Sequence, residues 1–191
     1  MNESEERLIQ KAKAGDKDAF GKLVKKYHQK MLYVAYDLMG NYEDAKDLAQ
    51  ETFLRAFLKL SQFQERAQFS TWLYRVLYNL AIDTHRRKKR TPVRSLEETI
   101  TGDLDRKSKI PDSVVYLPNE RIDQEELGEQ INEALDHLTF NQRTAVILRY
   151  YHQKSSKEIS EVMGCAESTV RIHIFRALAH MKKYLGEYKP D

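Results

Sequence analysis

Chemistry in this chain is easiest to look for at a short basic segment near its C-terminus. Ser155-Ser156-Lys157-Glu158 sets a serine three residues before a glutamate, the pattern of a reciprocal helix cap. It opens a short helix through Ile159, Val162 and Met163, which Gly164 ends, as a residue that can adopt positive φ would. A longer helix starts after Cys165-Ala166-Glu167, with Val170, Ile174, Ala177, Leu178, Met181 and Leu185 predicted inside. Helix, glycine turn and longer basic helix together match a helix-turn-helix, whose second helix enters the major groove. Its polar face offers Glu167, Ser168, Thr169, Arg171, His173 and Arg176. Arginine there can bond guanine, and apolar groups can meet thymine methyls. A helical hairpin with a merely solvated face is the alternative.

A second set of residues suits single-stranded nucleic acid. Phe63, Phe69, Trp72, Tyr74 and Tyr78 precede the run Arg86-Arg87-Lys88-Lys89-Arg90. Bases stack on rings while cations follow the backbone. The competing explanation is that Trp72 and most of these rings are core. Base readers are then expected on the polar loop 62–68, Phe63 included, and on the next helix at Arg75, Tyr78 and Asn79. A third patch, Asp47, Gln50, Glu51, Leu54, Arg55 and Leu58, recurs at three- and four-residue steps. Leucine mixed with carboxylate on one helix face suits a docking surface or a solvated face, and spacing alone does not choose between them.

Enzymatic chemistry is not visible. The six histidines are scattered, Cys165 and His173 make no metal-ligand set, and neither a glycine-rich phosphate loop nor a nucleophile elbow occurs. No catalytic residue, metal or cofactor is expected.

The elements that must position these residues are helical. One apolar stripe runs through Phe20, Leu23, Val24, Tyr27, Met31, Val34, Ala35 and Leu38 and stops at Gly40. Asn41 caps a second through Ala45, Leu48, Ala49, Phe53, Ala56, Phe57 and Leu60, with Glu43 and Asp44 in its first turn. A third follows Phe69 and runs through Trp72, Leu73, Val76, Leu77, Leu80 and Ala81. Leu127, Ile131, Ala134, Leu135 and Leu138 make a fourth, interrupted at residues 139–142, after which Ala145, Val146 and Leu148 continue. Between these blocks, Pro92, Pro111, Pro118 and Gly102 sit in a stretch of mixed charge, too long for a connection inside one compact domain. The expectation is an all-α chain of two small helical domains, residues 1–90 and 123–191, joined by a flexible linker over residues 91–122.

Charge supports two nucleic-acid surfaces. The net charge is only +3, but residues 1–90 hold 18 Lys/Arg against 12 Asp/Glu, and residues 137–190 hold 9 against 4. Local excess matters more to phosphate contacts than the global balance. One cysteine excludes an intrachain disulfide, mean hydropathy is -0.70, and the acidic first residues lack a signal-peptide layout. A cytoplasmic protein is expected.

Three segments resemble a known family. NYEDAKDLAQETFLR at residues 41–55, FSTWLYRVLYN at 69–79 and STVRIHIFR at 168–176 are similar, in that order, to extracytoplasmic-function RNA polymerase sigma factors of the sigma-70 family. The resemblance spans all but the linker, and it implies a sigma factor that directs core polymerase to promoters and helps melt the minus-ten region. It implies that Asp47, Gln50, Glu51, Leu54 and Arg55 touch the β′ clamp helices. Loop 62–68 and Asn79 would take a base flipped from the minus-ten strand, and Arg86, Arg87 and Lys88 would hold the duplex backbone upstream. Arg171 and Arg176 would bind the minus-thirty-five element, with Ser168 and Thr169 on phosphates, while residues 149–152 face the β flap. The family also implies an anti-sigma partner and a linker running through the polymerase. His173 and Leu178 depart from the arginines common at these positions. An ordinary helix-turn-helix regulator and an RNA-binding adaptor are the rival readings.

Overall fold

The computed structural model describes residues 3–65, 67–90 and 125–187. Every regular element among them is helical, and the chain divides into two compact units, Met1–Ile110 and Pro111–Asp191. The stretch 91–122 read as a linker lies outside the described residues.

Among the described residues the first unit holds four α-helices. Helix α1 (Glu5–Lys13) starts at Ser4, whose side chain accepts from the Arg7 N–H, with Glu5 and Glu6 facing the positive end of the helix dipole. Gly15, at φ 97°, turns the chain into α2 (Lys17–Met39), capped by Asp16, whose carboxylate accepts from the Ala19 N–H at 3.0 Å. Gly40 ends α2 at φ 80°, a conformation that costs glycine little, and Asn41 caps α3 (Tyr42–Lys59) through the Asp44 N–H at 2.8 Å. After a short 3₁₀ turn, Leu60–Gln62, the chain enters a loop and then α4 (Phe69–Arg90). Helix α2 is the central element, packed by α1, α3 and α4.

Its middle shows why. Residues 31–35 are all buried, so α2 is covered around its circumference and not along one stripe. Ala45, Ala49 and Ala56 of α3 have no exposed surface and let that helix lie close, while Leu73, Tyr74 and Leu77 of α4 complete the core. Lys26 and Tyr27 of α2 both bond Glu5, tying α1 down.

The second unit holds α5 (Glu125–Asp136), α6 (Phe140–Val146), α7 (Ser156–Met163) and α8 (Glu167–Glu187), with a π turn, Ile147–Tyr151, ending the α6 segment. The interruption expected at residues 139–142 is a capping box. The Thr139 hydroxyl accepts from the Gln142 N–H at 3.4 Å, and the Gln142 side chain accepts from the Thr139 N–H at 3.1 Å. Leu135, Leu138, Val146 and Ala177 form one buried cluster, flanked by Ile131 and Met181. Ile147, Leu148, Ile159, Val162 and Val170 are buried as well. Leu178, predicted inside, is exposed: the buried stripe of α8 runs through Val170 and Ala177, and Leu178 falls beside it.

Candidate functional site

In the second unit, α7 and α8 form the expected helix-turn-helix. Ser155 Oγ accepts from the Glu158 N–H at 3.2 Å, and the Glu158 carboxylate accepts from the Ser155 N–H at 2.9 Å and from its hydroxyl at 2.8 Å. Lys154 donates to the same carboxylate at 2.7 Å. Burial pushes the Glu158 carboxyl up, but these bonds outweigh it and bring it from 4.5 to about 2. Gly164 closes α7 at φ 65°, where its N–H returns to the Ser160 carbonyl. Ile159, Val162 and Val170, all buried, set the crossing of the two helices.

The outer face of α8 is then determined by the helical repeat. Ser168, Arg171, Ile172, Phe175 and Arg176 are all exposed at three- and four-residue steps. Arg171 is held by Glu167 at 3.2 Å, one turn back. Thr169 and His173 are half-buried at the edge. Burial of the His173 ring, with Arg176 nearby, pushes its pKa down and favours the neutral imidazole. Phe175, 74% exposed, was missed by sequence reading. Its signal was an aromatic displaced by one residue from the stripe through Ile174 and Ala177. Residues 149–151, in the π turn, are exposed too, while His152 is half-buried.

In the first unit, α3 turns Asp47, Gln50, Leu54, Arg55 and Leu58 to solvent, with Glu51 half-buried and paired to Arg55 at 2.6 Å. Leu54 is 54% and Leu58 66% exposed. Both lie on the side of α3 away from its alanine face, so the packing of this unit does not account for them.

On α4, Arg75, Asn79 and Arg86 are exposed at steps of four and seven residues and share a face. Arg87 is exposed beside them and bonds Thr84 at 3.3 Å. The Lys88 side chain lies outside the described residues. Phe63 and Tyr78 require a correction. They are 5% and 6% exposed, so neither offers the ring face that base stacking needs. Phe63 is stacked into a cluster, 5.5 Å from Phe69 and 5.2 Å from Trp72 between ring centroids, and Tyr27 adds a further contact to Phe69 at 5.6 Å. Aromatic density upstream of the basic run is therefore largely core, because a small helical unit needs large side chains to exclude water.

That cluster pins both ends of the loop between α3 and α4. Gln62, Gln64, Glu65 and Gln68 remain exposed between the anchors Phe63 and Phe69. Glu65 sits at φ 58°, a left-handed conformation that costs a non-glycine residue about 1 kcal/mol. Its carboxylate accepts from Lys13 Nζ at 2.5 Å and from Gln10 Nε2 at 2.7 Å, and the Lys13 bond holds it below the usual carboxylate range.

Among the described residues, no group of three or more His, Cys, Asp or Glu could hold a metal ion, and no helix is long and apolar enough to cross a membrane. The site is thus a set of surfaces: a helix-turn-helix that presents cations and apolar tips, and a separate helical unit with an exposed leucine face and a basic helix.

Comparison with known proteins identifies the family. The family model for Sigma-70 region 2 matches residues 23–91, and that for Sigma-70, region 4, matches residues 128–181. The ECF RNA polymerase sigma factor SigW of Bacillus subtilis is 34% identical over 95% of this chain and 96% of its own. Two solved structures share the fold. CnrH, in complex with the cytosolic domain of CnrY, has TM-score 0.66 and 22% identity over 95% of this chain and 97% of its own. The sigma factor RpoE, in complex with the anti-sigma factor NepR from Bartonella quintana, has TM-score 0.63 and 21% identity over 89% and 98%. The chain belongs to the extracytoplasmic-function RNA polymerase sigma factors and is a promoter-directing initiation factor.

Proposed function

We propose that the two units divide the work of initiation. Residues 1–90 dock on core polymerase and open the minus-ten region, residues 91–122 link, and residues 123–191 read duplex DNA upstream. On α3, Asp47, Gln50, Glu51, Leu54 and Arg55 meet the clamp helices of β′, the leucines supplying apolar area and the charges fixing register. The observation that carries this is the exposure of Leu54 and Leu58 on a helix whose other face is fully packed. A helix-turn-helix regulator that works without polymerase does not require such a surface.

The loop 62–68 with Arg75 and Asn79 receives a base of the opened minus-ten strand. Unstacking that base costs a few kcal/mol, which polar contacts in the loop must return. Phe63 and Tyr78 act from beneath, as core. Arg86, Arg87 and Lys88 track the duplex backbone. In the second unit α8 enters the major groove, with Arg171 and Arg176 on base edges, Ser168 and Thr169 on phosphates at the helix start, and His173 at the groove wall. Ile172 and Phe175 on the same face supply apolar surface that thymine methyls can meet. Residues 149–152 face the β flap. The Bartonella quintana sigma factor is in complex with an anti-sigma factor, and a partner of that kind holds this protein in reserve. The protein acts in the cytoplasm, catalyses no reaction itself and uses no cofactor.

Run-off transcription from genomic fragments, with core polymerase and with or without this chain, is the direct test. Specific transcripts are expected only when the chain is present. Binding to promoter fragments with a silent polymerase would sink the proposal. Asp47→Lys with Glu51→Lys is expected to abolish core binding in a pull-down while duplex binding through the second unit persists, and retained core affinity counts against the α3 assignment.

A further inference from the structure

The loop between α3 and α4 is tied to a helix some fifty residues earlier in the chain. Lys13 and Gln10 both donate to the Glu65 carboxylate, at 2.5 Å and 2.7 Å. The same Lys13 ammonium lies 5.4 Å from the centroid of the Phe63 ring, so one cation holds two loop residues, one by charge and one over a ring face. Glu65 keeps φ 58°, which an untied non-glycine residue would leave readily. Helix α1, which supplies both donors, precedes the region 2 match at residues 23–91.

We propose that Lys13 and Gln10 are positioning residues for promoter reading: from α1, through Glu65, they hold the loop in the shape that receives the minus-ten base. This rests on the loop being the strand reader. A polar loop free to rearrange would have to be ordered each time a strand is captured, and that cost would fall on binding. Tying it during folding moves the cost out of the recognition step. Lys13 also neutralises a carboxylate that would otherwise face a polyanion. An ion pair between a half-buried lysine and an exposed glutamate at the surface adds little to stability, so its effect belongs in recognition and not in melting.

The test uses the full chain in holoenzyme with core polymerase, transcribing a promoter pool randomised across the minus-ten element, with the transcripts sequenced. Lys13→Met and Gln10→Leu are expected to flatten the base preference at one minus-ten position by about three- to tenfold, the effect of freeing one or two ordered side chains. Upstream preferences and the melting temperature should stay unchanged. The charge swap Lys13→Glu with Glu65→Lys should regain most of the preference. Lys13→Met with Glu65→Gln, which removes both charges and with them the tie, should stay flattened, and recovery of the preference there overturns the positioning role. Wild-type preference in Lys13→Met overturns the proposal, and so does a charge swap that melts like the parent yet reads poorly. If Lys13→Met itself melts early, the swap decides. A further variant, Gln62→Gly with Gln64→Gly, separates the two ideas. If it leaves the preference intact, the loop is not the reader and both fall. If it abolishes the preference while Lys13→Met and Gln10→Leu do not, the positioning role alone falls.

Discussion

Arg171 and Arg176 both reach solvent from α8, yet they are not equivalent. Arg171 is held by Glu167, whereas Arg176 stands two turns into the helix beside the half-buried His173. An arginine bonding a guanine edge is worth about 1–3 kcal/mol of discrimination. Arg176→Ala is therefore expected to weaken the preferred upstream duplex by about tenfold or more and to relax specificity at one base pair, measured by fluorescence anisotropy against a substituted duplex. Ser168→Ala, at the position proposed to meet phosphates, should weaken preferred and substituted duplexes alike. Equal losses for both variants on both duplexes would show that α8 reads shape and not bases.

The first helix of the helix-turn-helix, α7, is held at its two ends by local devices, and each predicts a response. Glu158 is an ordinary carboxylate in the unfolded chain and is brought to about 2 when folded, so its depressed pKa favours the folded state. That contribution is complete above pH 4.5 and lost as the pH falls towards 2. Melting of the full chain followed by circular dichroism should therefore fall over this window, and less steeply in Glu158→Gln, which keeps the N3 amide but cannot titrate. Gly164→Ala meets no neighbouring atom but must hold φ 65°. A loss of about 1 kcal/mol is expected from the backbone alone, read from denaturant unfolding. No loss would mean that the turn relaxes.

At the scale of the whole molecule, each unit has its own buried side chains, and the proposed function gives each its own surface task. Separate chains covering residues 1–90 and 123–191 are expected to fold, the first retaining core-polymerase binding and the second upstream-duplex binding. Leu135→Ala removes a side chain from the buried cluster of the second unit and should cost about 2–5 kcal/mol there, leaving core-polymerase binding by the first unit unchanged.

Helices α2, α3, α4, α7 and α8 could be read directly from apolar periodicity, and Gly40, Asn41, Ser155 and Gly164 marked ends that the structure keeps. Such signals are local: a cap or a left-handed glycine acts within a turn of its own position, so spacing suffices to find it. Helix α1 and the capping box at Thr139 are also local, but each is short, and a few residues carry too little periodicity to stand out. The surfaces were harder. Period 3.6 separates faces, and it correctly grouped Asp47, Gln50 and Leu54 on one side of α3. It could not say which aromatics in a dense run turn inward, since that depends on what packs from elsewhere. Phe63 and Tyr78 went to the core, while Phe175 and Leu178 were left outside it. The meeting of Lys13 and Gln10 with Glu65 belongs wholly to the tertiary fold. No periodicity relates residues so far apart, and only the packing of α1 across α2 brings them to one loop.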